Sequence, residues 1–191
     1  KRHNLLDQPL MIGYDRRFLS RQAAGWLAEV LAGNGLKIWA MKRSAPTPLT
    51  MHIVKTAGLH AGLEVTASHN PPEYNGIKFF TEEGRDASLE VTDELEEILD
   101  ALRPEDIHAM PLEKAVNEDL IEYLKNPFNP FIDDILDQMN QKAIRDRGLR
   151  ILLNPMHGAG VYPLMVIFYT TRCTVDLINE GLDAYFGGHM P

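Results

Sequence analysis

Ser68, His69 and Lys78 place a hydroxyl, an imidazole and an ammonium within eleven residues, in the stretch Glu64-Val-Thr-Ala-Ser-His-Asn-Pro-Pro-Glu-Tyr-Asn-Gly-Ile-Lys-Phe-Phe80. A hydroxyl on a fixed turn suits covalent group transfer, because it can accept or donate a group without first being ordered. Val65 and Thr66 favour an extended strand. Asn70-Pro71-Pro72 then removes two backbone donors and fixes two φ angles, so neither helix nor sheet can continue. Ser68 is therefore expected on an exposed, rigid loop. Asn75-Gly76 turns the chain again, and the extended run Ile77 to Phe80 is expected to carry Lys78 back toward the serine.

Plain structural readings stand beside these. Adjacent Ser and His on a loop are commonly solvated turn residues, and neighbours in sequence rarely align as nucleophile and base. Lys78 alternates with Ile77 and Phe79, as the solvent face of a half-buried strand would. No Gly-x-Ser-x-Gly elbow is present, which argues against an acyl-transferring hydrolase. Asn154-Pro-Met-His-Gly-Ala-Gly160 is a second glycine-containing turn ahead of a helix. His157 there either faces a phosphate at the helix N-terminus or closes a structural turn. The turn lacks the Gly-Lys-Ser/Thr ending of a nucleotide loop, so ATP is not indicated. Seven histidines and one cysteine show no zinc spacing.

The elements that must position these groups alternate strand and helix. Leu10 to Ile12 reads as a strand closed by Gly13, and Ser20 as the N-cap of a helix through Leu27, Val30 and Leu31 that stops near Gly33-Asn34-Gly35. Lys37 to Met41 is the second strand. Pro46-Thr47-Pro48 opens a helix carrying Leu49, Ile53 and Val54, and Gly62 to Thr66 is the third strand. Thr92 to Leu102 has the apolar stripe Leu95, Ile98, Leu99 and Leu102 of an amphipathic helix. Such alternation predicts an α/β fold, a three-layer α/β/α domain with a mixed, mostly parallel sheet, over residues 1–104. Residues 105–130 read as a helical linker interrupted at Pro127 and Pro130. Residues 131–191 read as the beginning of a second, similar α/β domain. Only the strands at Arg150 to Leu153 and Val175 to Ile178 and one helix fall there, too little to close a sheet, so the sequence is expected to be part of a longer protein.

Composition agrees with a globular fold: 191 residues are 45% hydrophobic. Nineteen basic against 27 acidic residues give a formal net charge of −8 with no long basic cluster, so nucleic acid is not expected as a partner. No apolar run approaches the ~20 residues needed to span a bilayer, and no membrane partner is expected. A single cysteine, Cys173, excludes an internal disulfide framework and suits a cytoplasmic setting. Lys1 to Asn4 has a basic start without the apolar region of a signal peptide and reads as a cut edge.

Thr66-Ala-Ser-His-Asn-Pro-Pro72 followed by Asn75-Gly-Ile-Lys78 resembles the phosphoserine loop of the α-D-phosphohexomutases, the superfamily of phosphoglucomutase, phosphomannomutase and phosphoglucosamine mutase. Gly13-Tyr-Asp-Arg-Arg17 resembles the family's early Gly-x-Asp-x-Arg turn, Thr47-Pro48 the turn before its second helix, and Asn154 to Gly160 the opening of its second domain. The resemblance runs over nearly the whole chain.

That resemblance implies that Ser68 carries a phosphoryl group. The serine passes it to one hydroxyl of a hexose monophosphate and takes another back from the bisphosphate, so that phosphate moves between O1 and O6. It implies Mg²⁺ as cofactor, held in part by the Ser68 phosphoryl group, and glucose 1,6-bisphosphate as activator. Lys78, then His69, are the candidates for proton transfer, and Arg17 for gripping phosphate, unless it only pairs with Asp15 or a helix end. Glu73-Tyr74 leans toward the phosphoglucomutase and phosphomannomutase branch. Relatives of this kind have four domains. The Asp-rich metal loop, the sugar-recognising loop, the Arg-x-Ser-Gly-Thr phosphate loop and the early Gly-Thr-x-Gly-x-Arg segment are absent from this sequence. The chain alone is thus expected to be inactive, with the missing domains of the same chain as its partners. A non-catalytic sugar-phosphate-binding relative and an interaction domain are the two other readings.

Overall fold

A computed structural model describes residues 7–190; the reading of Lys1 to Asn4 lies outside them. In chain order the elements are β1 (Leu10–Tyr14), α1 (Ser20–Gly33), β2 (Ile38–Ala40), α2 (Thr47–Thr56), β3 (Ala61–Val65), β4 (Ile77–Thr81), β5 (Arg85–Asp86), α3 (Leu89–Ala101), α4 (Leu112–Asn117), β6 (Ile121–Tyr123), α5 (Phe128–Gln138), α6 (Gln141–Arg147), β7 (Arg150–Leu153), α7 (Val161–Thr170) and β8 (Thr174–Leu177).

Six strands form one sheet in the order β5-β4-β3-β1-β2-β6. β1 pairs parallel with both β2 and β3, while β4 turns back antiparallel on β3. Every residue of β1 and β3 is buried, as a central strand covered on both faces requires. α1 connects β1 to β2 and α2 runs back from β2 to β3 on the other side of β1, so that crossovers of the usual right-handed sense put the two helices on opposite faces. The result is the expected three-layer α/β/α domain. α1 buries Ser20, Ala24, Ala28 and Ala32, a stripe of small residues that lets the helix lie close to the sheet. α2 buries Leu49, Thr50, Ile53 and Val54.

Four expectations change. Ser20 is the first residue of α1, not its cap: its hydroxyl donates to Asp15 Oδ1 at 2.7 Å, and the preceding Leu19 makes no side-chain cap. Residues 105–130 are not only a helical linker. α4 packs on α1, and β6 joins β2 in parallel register as the sixth strand, with Ile38 opposite Ile121 and Ala40 opposite Tyr123. Pro127 and Pro130 open α5 instead of interrupting a helix, since the first turn has no use for their missing amide protons. Finally, the stripe over 92–102 does form a helix, capped by Ser88, but Ile98, Leu99 and Leu102 are exposed and α3 buries no residue.

Beyond α5, β7 and β8 form a two-stranded parallel pair connected through α7. α5 packs against both α2 and α7 and so ties this second unit to the first. Among the described residues no helix is long and apolar enough to cross a membrane.

Candidate active site

The serine loop leaves β3 at its C-terminal end and is held at both sides. Thr66 donates its amide to Gly76 O at 2.9 Å, which closes the base of the loop. Its hydroxyl donates to Asp15 Oδ2 at 2.7 Å and accepts the Ser68 amide at 3.2 Å. Asn75 Nδ2 donates to Phe18 O and to Ser20 Oγ, at 3.0 and 2.9 Å, fixing the far side of the loop to the start of α1. Ser68 itself has a φ of 56°, in the left-handed region that a residue with a Cβ enters at a cost of about 1–2 kcal/mol. This geometry leaves its side chain exposed, with Oγ 3.2 Å from His69 Nδ1.

Arg17 is buried beneath that loop. Its Nη2 donates to Ser68 O at 2.6 Å and Asn70 O at 2.9 Å, and its Nη1 to Pro71 O at 3.0 Å and Tyr74 O at 3.3 Å. Nε stands 3.4 Å from Asp15 Oδ2, an ionic contact without hydrogen-bond geometry. Asp15 in turn accepts the Arg17 amide at 2.9 Å. The guanidinium is committed to backbone carbonyls and presents no terminal N–H to the cleft.

Ser68 and His69 open onto a cleft of about 320 Å³ between the first domain and the β7–α7 turn. Asp15, Arg16, Thr47 and Thr66 line one wall, and Met156, Gly158, Ala159 and Phe186 the other. Arg16 belongs to the early turn but has no role on sequence reasoning; it ties the two walls, donating to Glu180 O at 2.9 Å and His157 O at 3.3 Å. Burial holds its pKa below the ordinary arginine value. His157 serves the turn, with Nδ1 2.9 Å from Gly181 O and its amide donating to Asn179 O. A second hollow, of about 360 Å³ among α1, β2 and β6, lies away from Ser68.

Lys78 is not brought to the serine. Antiparallel register sets it opposite Glu64, four residues before Ser68, and its ammonium lies 3.7 Å from Asp86 Oδ1. Sequence reasoning also passes over Glu64. It is fully buried in β3, accepts the Thr50 hydroxyl at 2.5 Å, and leaves Oε1 without a partner. Burial pushes its pKa up to about 8, with the Thr50 bond opposing and Asp15 adding to the rise.

The residues at the cleft do not make a metal site. Both Asp15 oxygens are taken by Arg17, Ser20 and Thr66, and among the described residues no group of three His, Cys, Asp or Glu could hold an ion.

The sequence profile described as phosphoglucomutase/phosphomannomutase, alpha/beta/alpha domain I, matches residues 3–106. A phosphoglucomutase from Staphylococcus saprophyticus is 29% identical over 190 residues, 99% of this chain and 34% of that protein. A phosphoglucosamine mutase from Crocosphaera subtropica is 32% identical over 173 residues, 90% of this chain and 34% of that protein. The crystal structure of a Thermus thermophilus protein described as a phosphomannomutase superposes with a TM-score of 0.82 at 30% identity, covering 100% of this chain and 42% of that one. The chain thus spans about a third of the length of these curated relatives. The match over more than half of the chain, on the domain that carries the serine loop, shows that it belongs to the phosphoglucomutase/phosphomannomutase family.

Proposed function

We propose that this chain supplies the phosphoryl-accepting serine of a phosphohexomutase that interconverts hexose 1-phosphates and hexose 6-phosphates. One observation carries the reading: Ser68 Oγ stands exposed at the cleft on a turn held by Arg17 at the Ser68 carbonyl, by Thr66 at its start and by Asn75 at its far side. Phosphoryl transfer depends on in-line positioning and charge stabilisation more than on other covalent help, and a fixed hydroxyl meets the first need.

In the forward half-reaction a sugar hydroxyl attacks the Ser68 phosphorus. The Oγ–P bond breaks, the sugar O–P bond forms, the hydroxyl proton is given up and one is returned to Oγ with His69 as the neighbouring relay, and a hexose bisphosphate and free Ser68 result. In the return half-reaction, after the sugar reorients, Ser68 Oγ attacks the other phosphorus and its proton passes to His69 Nδ1 at 3.2 Å; the O–P bond to the sugar breaks, and the leaving sugar oxygen takes a proton to become a free hydroxyl. Lys78 joins this chemistry only by leaving Asp86. When bound, Mg²⁺ would offset charge on the phosphoryl oxygens; its carboxylate ligands are expected from outside this chain. Glucose 1,6-bisphosphate is the expected activator, as donor of the first phosphoryl group.

Glucose and mannose phosphates are the proposed substrates. The sequence lean behind that choice rests on Tyr74, whose exposed side chain does not line the cleft, so the preference is expected to be read elsewhere in the protein. Intact-mass and peptide mass spectrometry of the full-length protein, before and after glucose 1,6-bisphosphate, tests the proposal. A single phosphoryl group on Ser68 is expected. An unmodified Ser68, under conditions that charge a working mutase, would overturn it.

A further inference from the structure

We propose that Arg17 is a positioning residue for Ser68: its guanidinium gathers the carbonyls of the serine loop beneath the cleft, so that the hydroxyl, and not the backbone oxygens, faces the incoming phosphate. The proposal rests on the reading of Ser68 as phosphoryl acceptor. It departs from a phosphate-gripping role for the same arginine.

The need for such a residue comes from the loop's composition. Pro71 and Pro72 bring carbonyls without amide protons, and no sheet or helix pairs the backbone from Ala67 to Asn75. Carbonyls left unpaired at a half-buried turn are costly, and they would also turn negative dipole ends toward a group carrying roughly −1.5 to −2 charges. Arg17 removes both problems together. Four N–H bonds from its two terminal nitrogens reach the carbonyls of residues 68, 70, 71 and 74, and the shortest, at 2.6 Å, is to Ser68 itself. That bond holds the serine in its left-handed conformation from behind. Asp15 anchors the arrangement by accepting both the Arg17 amide and the Thr66 hydroxyl, and the Phe186 ring closes it, with its centroid 5.2 Å from the guanidinium carbon. A lysine cannot substitute, because three donors on one nitrogen cannot span four acceptors spread along the loop. Since no terminal N–H faces the cleft, these bonds are the same whether or not Ser68 carries phosphate.

The test uses full-length protein and Arg17→Lys. Amide exchange over residues 68–76 is expected to rise at least ~tenfold, as loss of charge-assisted bonds implies, with β1 and α1 still protected. Charging of Ser68 by glucose 1,6-bisphosphate, followed by mass spectrometry, and kcat should each fall ~tenfold or more, while KM for the sugar phosphate stays within about twofold. An arginine that grips phosphate gives the reverse, a raised KM with loop exchange and charging rate unchanged, and that result overturns the proposal. If wild-type Ser68 takes no phosphoryl group, the mutase reading fails, and the exchange comparison alone still decides whether Arg17 holds the loop. Should Arg17→Lys not fold, the ¹³Cζ resonance of Arg17 in the wild-type protein decides instead. It is expected to stay in place when Ser68 is phosphorylated, and a large shift would overturn the assignment.

Discussion

Gly13 and Glu64 face each other across β1 and β3, and the space a side chain at position 13 would fill is occupied by the Glu64 carboxyl. A Cβ on Gly13 would fall on Glu64 Oε2 and Thr50 Oγ1, both fully buried. Gly13→Ala is therefore expected to destabilise the fold by about 1–3 kcal/mol, the usual cost of overpacking a close-packed core. Because Asp15 follows two residues later and holds Thr66, the same change should also slow the charging of Ser68. Urea unfolding measures the first effect; a Gly13→Ala protein as stable as wild type would show that the Glu64 slot is not rigid.

Glu64 also sets a pH dependence. Its pKa rises from 4.5 to about 8 on folding, chiefly by burial, so the folded state holds a proton through the neutral range that the unfolded chain has released. Stability from this group is fully present below about 4.5 and is lost as pH climbs toward 8. At one pKa unit per 1.36 kcal/mol the loss is on the order of 4 kcal/mol by pH 8. Glu64→Gln, neutral at every pH, should be more stable than wild type at pH 8 and flatten the profile between pH 5 and 8. Equal slopes for the two proteins in chemical unfolding across that range would refute a buried, protonated Glu64.

The serine loop is legible in the sequence because its determinants are local: Asn70-Pro71-Pro72 and Asn75-Gly76 punctuate the chain whatever surrounds them. β6 is not, since three residues are too few for periodicity, and its pairing with β2 is decided by packing across more than eighty residues. Arg17 reads as a phosphate ligand or as a partner of Asp15 or a helix end, because an arginine in a turn suits either, and its Nε does stand 3.4 Å from Asp15 Oδ2. Its terminal nitrogens reach carbonyls 51 to 57 residues away, which no local pattern announces. Glu64 draws no attention in the sequence, because nothing local announces a buried carboxyl and only the glycine opposite makes room for it inside. Lys78 misleads through hairpin logic. The turn does bring β4 back, but the register carries position 78 past the serine to Glu64.

Ser68 offers a way to separate chemistry from fold. At a φ of 56° a glycine is at ease where serine is strained. Ser68→Gly should thus be as stable as wild type or up to ~1 kcal/mol more so, while Ser68→Ala, which keeps the Cβ, should not gain. Neither can carry a phosphoryl group, and both should abolish mutase turnover in the full-length protein. Thermal unfolding beside a turnover assay checks the pair; turnover at the wild-type rate in either would remove Ser68 from the mechanism.

Arg43 joins the two halves of the cleft from outside. Its guanidinium carbon lies 3.8 Å from the Tyr162 ring centroid and 4.2 Å from that of Phe128, and the two rings meet edge to face at 5.1 Å. Arg43 precedes α2, whereas Phe128 opens α5 and Tyr162 lies in the first turn of α7. The stack thus links the serine domain to the helix that follows the Met156–Ala159 wall. Arg43 is largely exposed, so Arg43→Ala should cost only about 1 kcal/mol overall. Its effect should be concentrated at the junction: faster amide exchange in α5 and α7, with β1 and β3 unchanged. Arg43→Lys should fall between, keeping the charge but losing the planar face that stacks. If exchange in α7 does not respond to either change, the stack does not set the position of the second wall, which then falls to the α5 packing and the Arg16 bonds to Glu180 and His157.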